Sequence, residues 1–387
     1  MKRIIISKTL LPSLAMVLTV NQTAFAQVFL FPEFLNFDEV IFGQSVSQSL
    51  VIKNQGDTAI VVGDINFSHS YFQVSDTSFS IDPNDSQIVV VTFSPQEQGA
   101  ADGTMSIFVY TPSDTILEVE LTGWTPIDLN VELVRNEFLM PISFNVQNSR
   151  EFLLHLRVSS ETNWAIPESE SAVLTIYIDS TYSFQNQDIV LFKGDELFVY
   201  KVSLGRMNSG SHTIEVYFNG DKSPPGAQFV YLDDFSLIPI ALKSRDYDVF
   251  RFSPVLYGRD LVSEDESVHT DVPLLMWHEV DTVESDKWIE YSMIWSNEDG
   301  GTNSISLMSR WGRTTDIEWI YKVKIDPGGN VLEEYFQGPG HSTSYFQGNR
   351  INDHPVLKTV TINNMVSDEG ESDYKFFLSP EKSKQEI

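Results

Sequence analysis

The feature that most constrains this chain is a succession of short apolar segments separated by turn residues at regular spacing. Residues 49–53, 88–93 and 104–110 combine β-branched and aromatic residues, which favour strands. Residues 54–57 and 82–85 contain the Gly, Asn and Pro that favour turns. No helical period interrupts this pattern in the first third of the chain, so the sequence predicts an all-β fold of tandem β-sandwiches.

The length of the chain indicates several domains. A chain of 387 residues exceeds the usual size of one domain. The strand and turn pattern predicts a β-sandwich over 28–125, a jelly roll over 127–243 and a third, aromatic-rich β domain over 246–387.

The first 26 residues have the pattern of a secretory signal peptide. Positive residues precede an apolar run at 10–20, and residues 24–26 form an A-x-A cleavage site that would leave Gln27 at the new N-terminus. The alternative is an uncleaved anchor helix, but the run is short for a membrane span and contains Pro12. We therefore expect an exported protein in the periplasm, at the cell surface or in the medium, with no membrane span.

Charge and cysteine content exclude several functions. The net charge of -29 disfavours binding to nucleic acid, which needs a basic face. The chain has no cysteine, so a disulfide framework and a cysteine nucleophile are both excluded. An exported chain without disulfides fits a bacterial source better than a eukaryotic one.

Five segments of the first predicted domain, 35–37, 51–56, 81–83, 91–95 and 121–123, follow a recognisable order and spacing. Through them the domain resembles the Hydin-type immunoglobulin-like domain of exported bacterial proteins. The resemblance implies a seven-stranded sandwich that acts as a spacer or interaction module, with no catalytic residues.

The second predicted domain resembles bacterial carbohydrate-binding modules of the jelly-roll type, through residues 210–216 and 230–237. In such modules an acidic residue of the closing strand holds a structural calcium, which makes Asp233 and Asp234 candidate ligands. The alternative is that one aspartate faces solvent and the other caps a turn.

Three aromatic residues of the second domain lie in loop-like stretches. Trp164, Tyr182 and Phe184 are candidates to stack on a sugar ring. The alternative is that they cover the edge of the hydrophobic core.

The third domain contains the stretch with the most unusual composition, residues 288–321. Two predicted strands, 288–295 and 314–324, flank a Gly-Gly loop, and acidic and arginine residues lie within and beside them. A buried charge must be paired, coordinated or functional. The loop at 297–303 allows a calcium-binding loop or a plain hairpin turn, and the sequence favours the turn because the acid spacing of an EF-hand is missing.

Three interpretations of these charged residues remain open. Glu290 with Asp316 and Glu318 would form the paired carboxylates of a glycosidase. His278, Asp316 and His341 would instead be metal ligands. In the third interpretation, which we favour, Arg310 and Arg313 form charge-assisted bridges to Glu290, Asp316 or Glu318, or these residues line a non-catalytic polar groove.

The third domain also resembles the family named after a yeast vacuolar protein sorting protein. The segments that carry this resemblance are 252–257, 289–291, 297–300, 316–319 and 354–355. The sequence departs from the family pattern at 313–315, where a histidine is replaced, and the resemblance implies no activity.

The sequence thus predicts an exported, non-catalytic modular protein that binds carbohydrate or a cell-envelope component. One alternative is an extracellular hydrolase, glycosidase-like or metal-dependent, with its site in 246–387, and another is a structural or adhesive surface protein. An exposed aromatic platform would favour binding, and a concave site with convergent polar groups would favour an enzyme. The candidate binding residues are Trp164, Tyr182, Glu290, Arg310, Arg313, Asp316, Glu318 and His341.

Overall fold

The computed structural model describes residues 28–111, 114–163, 166, 169, 171–180, 186–259, 272–298 and 304–382. The predicted all-β fold class is confirmed, because paired sheets form three successive sandwiches. The predicted signal peptide at 1–26 lies outside the described residues.

The first unit is an immunoglobulin-like sandwich of a four-stranded sheet, β1-β3-β7-β5, and a five-stranded sheet, β2-β9-β8-β4-β6. Its strands are β1 (Val28–Phe31), β2 (Phe34–Glu39), β3 (Val46–Asn54), β4 (Ile60–Phe67), β5 (Phe72–Val74), β6 (Phe79–Ile81), β7 (Ser86–Phe93), β8 (Gly99–Thr111) and β9 (Thr115–Thr125). The resemblance implied seven strands, and the two further strands are the three-residue β5 and β6 at the sheet edges.

The second unit has the strand order of a jelly roll, with sheets β10-β17-β12-β15 and β11-β16-β13-β14 around one apolar core. Its strands are β10 (Ile127–Val134), β11 (Ile142–Val146), β12 (Arg150–Ser160), β13 (Val173–Ile178), β14 (Gln187–Val190), β15 (Phe198–Met207), β16 (Gly210–Phe218) and β17 (Phe229–Pro239).

The third unit packs a six-stranded sheet, β23-β22-β21-β20-β19-β28, on a smaller sheet, β24-β25-β18-β27, with β26 paired to β25. Its elements are α1 (Tyr247–Arg251), β18 (Val255–Tyr257), β19 (Pro273–Val283), β20 (Asp286–Trp295), α2 (Ser304–Trp311), β21 (Asp316–Ile325), β22 (Val331–Gly338), a 3-10 turn (Pro339–His341), β23 (Ser342–Tyr345), β24 (Arg350–Ile351), β25 (His354–Thr359), β26 (Val366–Ser367), β27 (Lys375–Phe376) and β28 (Pro380–Lys382). The helix α2 lies in the connection between β20 and β21, and most of the turn predicted at 297–303 lies outside the described residues.

A β-bulge at Ile320 decides which side chains of β21 face the core. Tyr321 pairs with Tyr291 and Trp319 pairs with Ser292, so Ile320 is the extra residue. A bulge reverses the alternation of side chains beyond it. Asp316 and Glu318 therefore lie on the core face, whereas Lys322 and Lys324 lie on the outer face. From the sequence, strict alternation predicts Lys322 and Lys324 on the same face as Asp316 and Glu318, and the bulge makes that prediction wrong.

Buried ion pairs join the first unit to the second. Arg150, at the start of β12, pairs with Glu120 at 2.7 Å and with Asp102 at 3.4 Å. Glu120 also accepts hydrogen bonds from the backbone N–H groups of Leu242 (2.9 Å) and Lys243 (3.2 Å).

A second set of contacts joins the second unit to the third. Glu151 pairs with Arg206 at 3.3 Å and with the buried His354 at 3.2 Å. The N–H of Ser203 in β15 donates to the carbonyl oxygen of Phe377 at 2.8 Å, so the chain before β28 continues a sheet edge of the second unit.

Candidate functional site

The outer face of the six-stranded sheet carries a row of aromatic side chains that the strand register places together. Trp288 of β20 lies opposite Lys324 of β21, and Tyr335 of β22 lies opposite both Lys322 of β21 and Tyr345 of β23. Directly opposite residues of a sheet share a face. We call this surface the aromatic face; it also contains Trp277, Glu279, Asp281, Asp286, Glu290, Ser292, Trp319 and Glu333.

The rings of the aromatic face pack on one another with similar orientations. The centroids of Trp288 and Tyr335 are 6.2 Å apart with planes inclined at 28°, and those of Tyr335 and Tyr345 are 4.7 Å apart at 38°. Tyr345 is 68% exposed, whereas Trp288 and Tyr335 are half-buried. The three rings therefore form one row of aromatic side chains that pack on one another and reach the solvent at Tyr345.

Charged side chains lie among these rings and pair with one another. Lys322 donates to Glu290 at 3.0 Å, and Lys324 lies 3.2 Å from Asp286 and 3.9 Å from Glu333. The ammonium groups of both lysines lie over the Trp288 ring, 5.3 and 5.9 Å from its centroid. Cation–π contacts of this kind hold the ring in place.

Hydrogen bonding also orders the tyrosines. The Tyr335 hydroxyl donates to Glu333 at 2.7 Å. Hydrogen bonds with Tyr345 and Glu333 raise the pKa of Tyr335 above its usual value, because they favour the neutral phenol. The phenol is therefore a hydrogen-bonding group, and not an anion, at physiological pH.

A second polar cluster lies on the core face, where β21 begins. Asp316 is buried, lies 3.7 Å from Arg313 and accepts a hydrogen bond from Asn364 at 3.0 Å. Arg313 also pairs with Glu298 at 3.0 Å and donates to the carbonyl oxygen of Thr315. The predicted pairing of an arginine with one of the acids is confirmed for Arg313 and Asp316.

Burial raises the pKa of Asp316 to about 7, with the charges of Glu318 and Glu298 acting in the same direction. The hydrogen bonds from Asn364 and from the N–H of Ile317 oppose this shift. Arg313 would also lower the pKa of Asp316, but at 3.7 Å and half-exposed it is a weak partner.

Glu318 belongs to the same end of the sheet. It accepts a hydrogen bond from Gln337 at 2.8 Å, and Gln337 in turn contacts His341 at 2.8 Å. Glu318 and His341 are 3.7 Å apart. The structure therefore brings together Arg313, Asp316, Glu318 and His341 of the predicted site residues.

The other predicted residues of the third unit lie elsewhere. Glu290 lies on the aromatic face with Lys322, on the opposite side of the sheet from Asp316, so the predicted pairing of these two carboxylates is wrong. His278 contacts the carbonyl oxygen of Pro380 at 3.1 Å and does not join Asp316 and His341. Arg310 lies on α2 with an exposed side chain.

Asp233 and Asp234 both lie beside a positively charged side chain, that of Arg157. Arg157 lies 2.7 Å from Asp233 and 3.6 Å from Asp234. Burial and the neighbouring Asp233 raise the pKa of Asp234, and Arg157 opposes the shift. Within the described ranges, no three His, Asp or Glu side chains form a group suited to a metal ion, so calcium stays a prediction.

The predicted sugar-stacking residues of the second unit cannot be placed. Trp164, Tyr182 and Phe184 lie outside the described residues.

Most of the aromatic face was not predicted from the sequence, although part of its signal is present there. In β20, Trp288, Glu290 and Ser292 alternate with the buried Ile289, Tyr291 and Met293. This alternation assigns Trp288 and Glu290 to one outer face. Assigning Tyr335 and Tyr345 to the same face requires the pairing register of their strands, which cannot be read from the sequence.

Comparison with known families identifies the first unit. Residues 25–112 match the model of the family described as ASH, abnormal spindle-like microcephaly-associated, ASPM-SPD-2-Hydin. The predicted Hydin-type resemblance is confirmed, and this segment is an ASH domain. No curated protein matches the sequence.

Several solved structures are similar to parts of the chain. The ASH/PapD-like domain 7 of human CEP192 is 14% identical, with a TM-score of 0.25, over 32% of this chain and 97% of that domain. The secreted serine protease VesC from Vibrio cholerae is 14% identical, with a TM-score of 0.23, over 52% of this chain and 49% of that one. A protein of unknown function from Porphyromonas gingivalis W83 is 12% identical, with a TM-score of 0.26, over 55% of this chain and 99% of that one. Such low scores carry no inference about what this chain binds.

No helix in the described part of the chain has the length and apolar composition of a membrane span.

Proposed function

We propose that this protein is exported and binds carbohydrate without catalysis, through the aromatic face of its third unit. The observation that carries the proposal is the row of packed aromatic rings of Trp288, Tyr335 and Tyr345 on one sheet face, together with the charged groups that surround it. Export rests on the signal-peptide pattern of residues 1–26.

The composition of the aromatic face matches the chemistry of a sugar. A pyranose ring has an apolar C–H face that packs on an aromatic ring, and its rim of hydroxyl groups needs hydrogen-bond donors and acceptors. Glu290, Lys322 and Glu333 supply such groups within the same surface. The core of a protein–protein interface is depleted of charged residues. The mixture of rings and charges therefore favours a sugar over a folded partner.

The excess of acidic side chains on the aromatic face indicates which carbohydrates can bind there. Acidic side chains outnumber lysines on this face, and the lysines already pair with acids. A polyanionic glycan would meet net repulsion, which is strongest at low ionic strength. We therefore assign the face to neutral glycans. The acidic residues of the face are Glu279, Asp281, Asp286, Glu290 and Glu333.

One observation favours the alternative of a hydrolase. Asp316, with its pKa raised to about 7, has the protonation behaviour of a general acid. Its paired arginine and its hydrogen bond to Asn364 equally fit a structural role. A hydrolase would release reducing ends from a bound glycan, and loss of that release in Asp316→Asn would establish it.

Binding to a panel of insoluble and soluble neutral polysaccharides tests the proposal. The full chain should be depleted from solution by at least one polymer, and Trp288→Ala with Tyr335→Ala should abolish this depletion. Tyr110→Ala is the matched control, because Tyr110 is a 47% exposed tyrosine on the first unit. Depletion that persists in the double variant, or no depletion by any neutral polymer, would overturn the proposal.

A further inference from the structure

A cavity lies between the second and third units and is bounded by both. The second unit contributes residues of β14 and β15, and the third contributes the start of β19 and residues between 376 and 381. The cavity has a volume of about 180 Å³. One water needs about 10–15 Å³, and voids inside proteins are rarely larger than one water. Val199 and Leu275 line the cavity and are 38% and 41% exposed, so it opens to solvent beside them.

Backbone hydrogen bonds hold the walls of this cavity in place. The N–H of Ser379 donates to the carbonyl oxygen of Lys201 at 3.1 Å, beside the bridge between Val202 and Leu378. In the third unit, β28 pairs with β19 at Met276. The cavity is therefore built largely from paired strands, and a preformed site of this kind costs little ordering when a ligand binds.

Most of the side chains that line the cavity are apolar, and several are aromatic. Phe192, Phe198 and Tyr200 of the second unit have ring centroids between 5.0 and 5.4 Å apart, and Phe376 lines the cavity from the third unit. Aromatic rings favour a further ring packed against a face or an edge. The lining therefore matches an apolar ligand that contains an aromatic ring.

The charged residues that line the cavity already have partners within the protein. Asp188 accepts hydrogen bonds from Thr175 at 2.8 Å and from Lys222 at 2.7 Å. Lys201 donates to Glu381 at 3.0 Å. A charged ligand would have to displace one of these pairs or lie unpaired beside apolar surface, and both cost free energy. The lining therefore selects an uncharged ligand.

We infer that the cavity binds a small neutral molecule with one aromatic ring, held between the second and third units. An apolar cavity of about 150 Å³ accepts benzene, so the volume of about 180 Å³ admits one ring with a short substituent. A sugar does not match this lining, because its hydroxyl groups would lose their hydrogen bonds with water.

This inference goes beyond the proposed function and does not depend on it. The ligand is not a glycan, and Trp288 and Tyr335 of the aromatic face do not line the cavity. Because the ligand touches both units, it binds only when they are docked, and binding stabilises the docked arrangement by mass action.

Isothermal titration and thermal melts of the full chain with toluene and p-cresol test the inference. Both neutral probes should bind saturably and raise the melting temperature, since they bind the folded state. Benzoate and benzylammonium have a ring of the same size with a negative or a positive charge. Each should bind at least about tenfold more weakly than toluene.

Two substitutions should obstruct the cavity from opposite walls. Val199→Trp in the second unit and Leu274→Trp in the third should each weaken toluene binding by at least about tenfold, and a cooperative melt shows that each variant is folded. Val134→Trp is the control and should bind toluene as the wild type does, because Val134 is 46% exposed on β10 and does not line the cavity. No saturable binding of either neutral probe, unchanged toluene affinity in a folded cavity variant, or equal binding of the charged probes would overturn the inference.

Discussion

Arg150 and Glu120 form a buried ion pair of 2.7 Å that joins two different units of the chain. The next residue, Glu151, pairs with Arg206 and His354 at the junction with the third unit. Two consecutive residues at the start of β12 therefore contact both neighbouring units. The position of the aromatic face relative to the first unit depends on this short segment.

Arg150→Met should destabilise the protein strongly. It leaves the buried Glu120 and Asp102 without their cation, and removing one partner of a buried pair costs about 3–5 kcal/mol. Arg157→Met is the control, because Arg157 is 46% exposed and exposed pairs contribute about 0–1 kcal/mol. Denaturant unfolding of both variants measures the difference. Equal, small losses would show that the junction contributes nothing to stability.

Gly205→Ala should cost more than Gly340→Ala. Both glycines have a φ of 71°, so both substitutions incur the left-handed backbone penalty of about 1 kcal/mol. A Cβ at Gly205 would lie 3.2 Å from the Phe377 ring and 3.4 Å from His354, whereas at Gly340 nothing lies within 4 Å. Crowding at the junction should add about 1–3 kcal/mol. Thermal melts that show equal losses would contradict close packing there.

Asp316→Asn should change how stability depends on pH. The folded-state pKa of Asp316 is raised to about 7 from 3.8, so its burial favours folding at low pH and this contribution is lost as pH rises through about 7. Asparagine does not titrate. The variant should therefore gain stability relative to wild type between about pH 4 and pH 8, by up to about 4 kcal/mol.

Asp353→Asn is the control, because the pKa of Asp353 is shifted in the opposite direction to that of Asp316. Burial raises the pKa of Asp353, but the hydrogen bonds from Arg251 and Arg206 outweigh it and leave the pKa lowered. Asp353 therefore stabilises the fold above its unfolded pKa, and this advantage over asparagine disappears as pH falls through its folded pKa. Parallel pH profiles for wild type and Asp316→Asn would show that Asp316 is not perturbed.

Several strands of this fold were predicted from the alternation of apolar and polar residues in the sequence. The predicted segments 88–93 and 104–110 lie within β7 and β8, and the arginine–acid pairing near Asp316 was anticipated. β10 was not predicted, although its half-buried apolar residues alternate with exposed Asp, Asn and Glu in the same way.

The sequence also did not predict which side chains of β21 face the core and which face outward. The bulge at Ile320 arises from pairing with β20, and it moves Lys322 to the side opposite Asp316. The aromatic face combines Trp288 and Tyr335 from strands that only the sheet order brings near each other.

Isothermal titration of the full chain with the neutral glycan that best depletes it tests the central claim most directly. Wild type should bind, Tyr110→Ala should bind with unchanged affinity, and Trp288→Ala should lose at least about tenfold, or about 1.4 kcal/mol. The melting temperature of Trp288→Ala should stay near that of wild type, because Trp288 lies outside the hydrophobic core. Unchanged glycan affinity in Trp288→Ala would contradict the assignment of the aromatic face as the binding site.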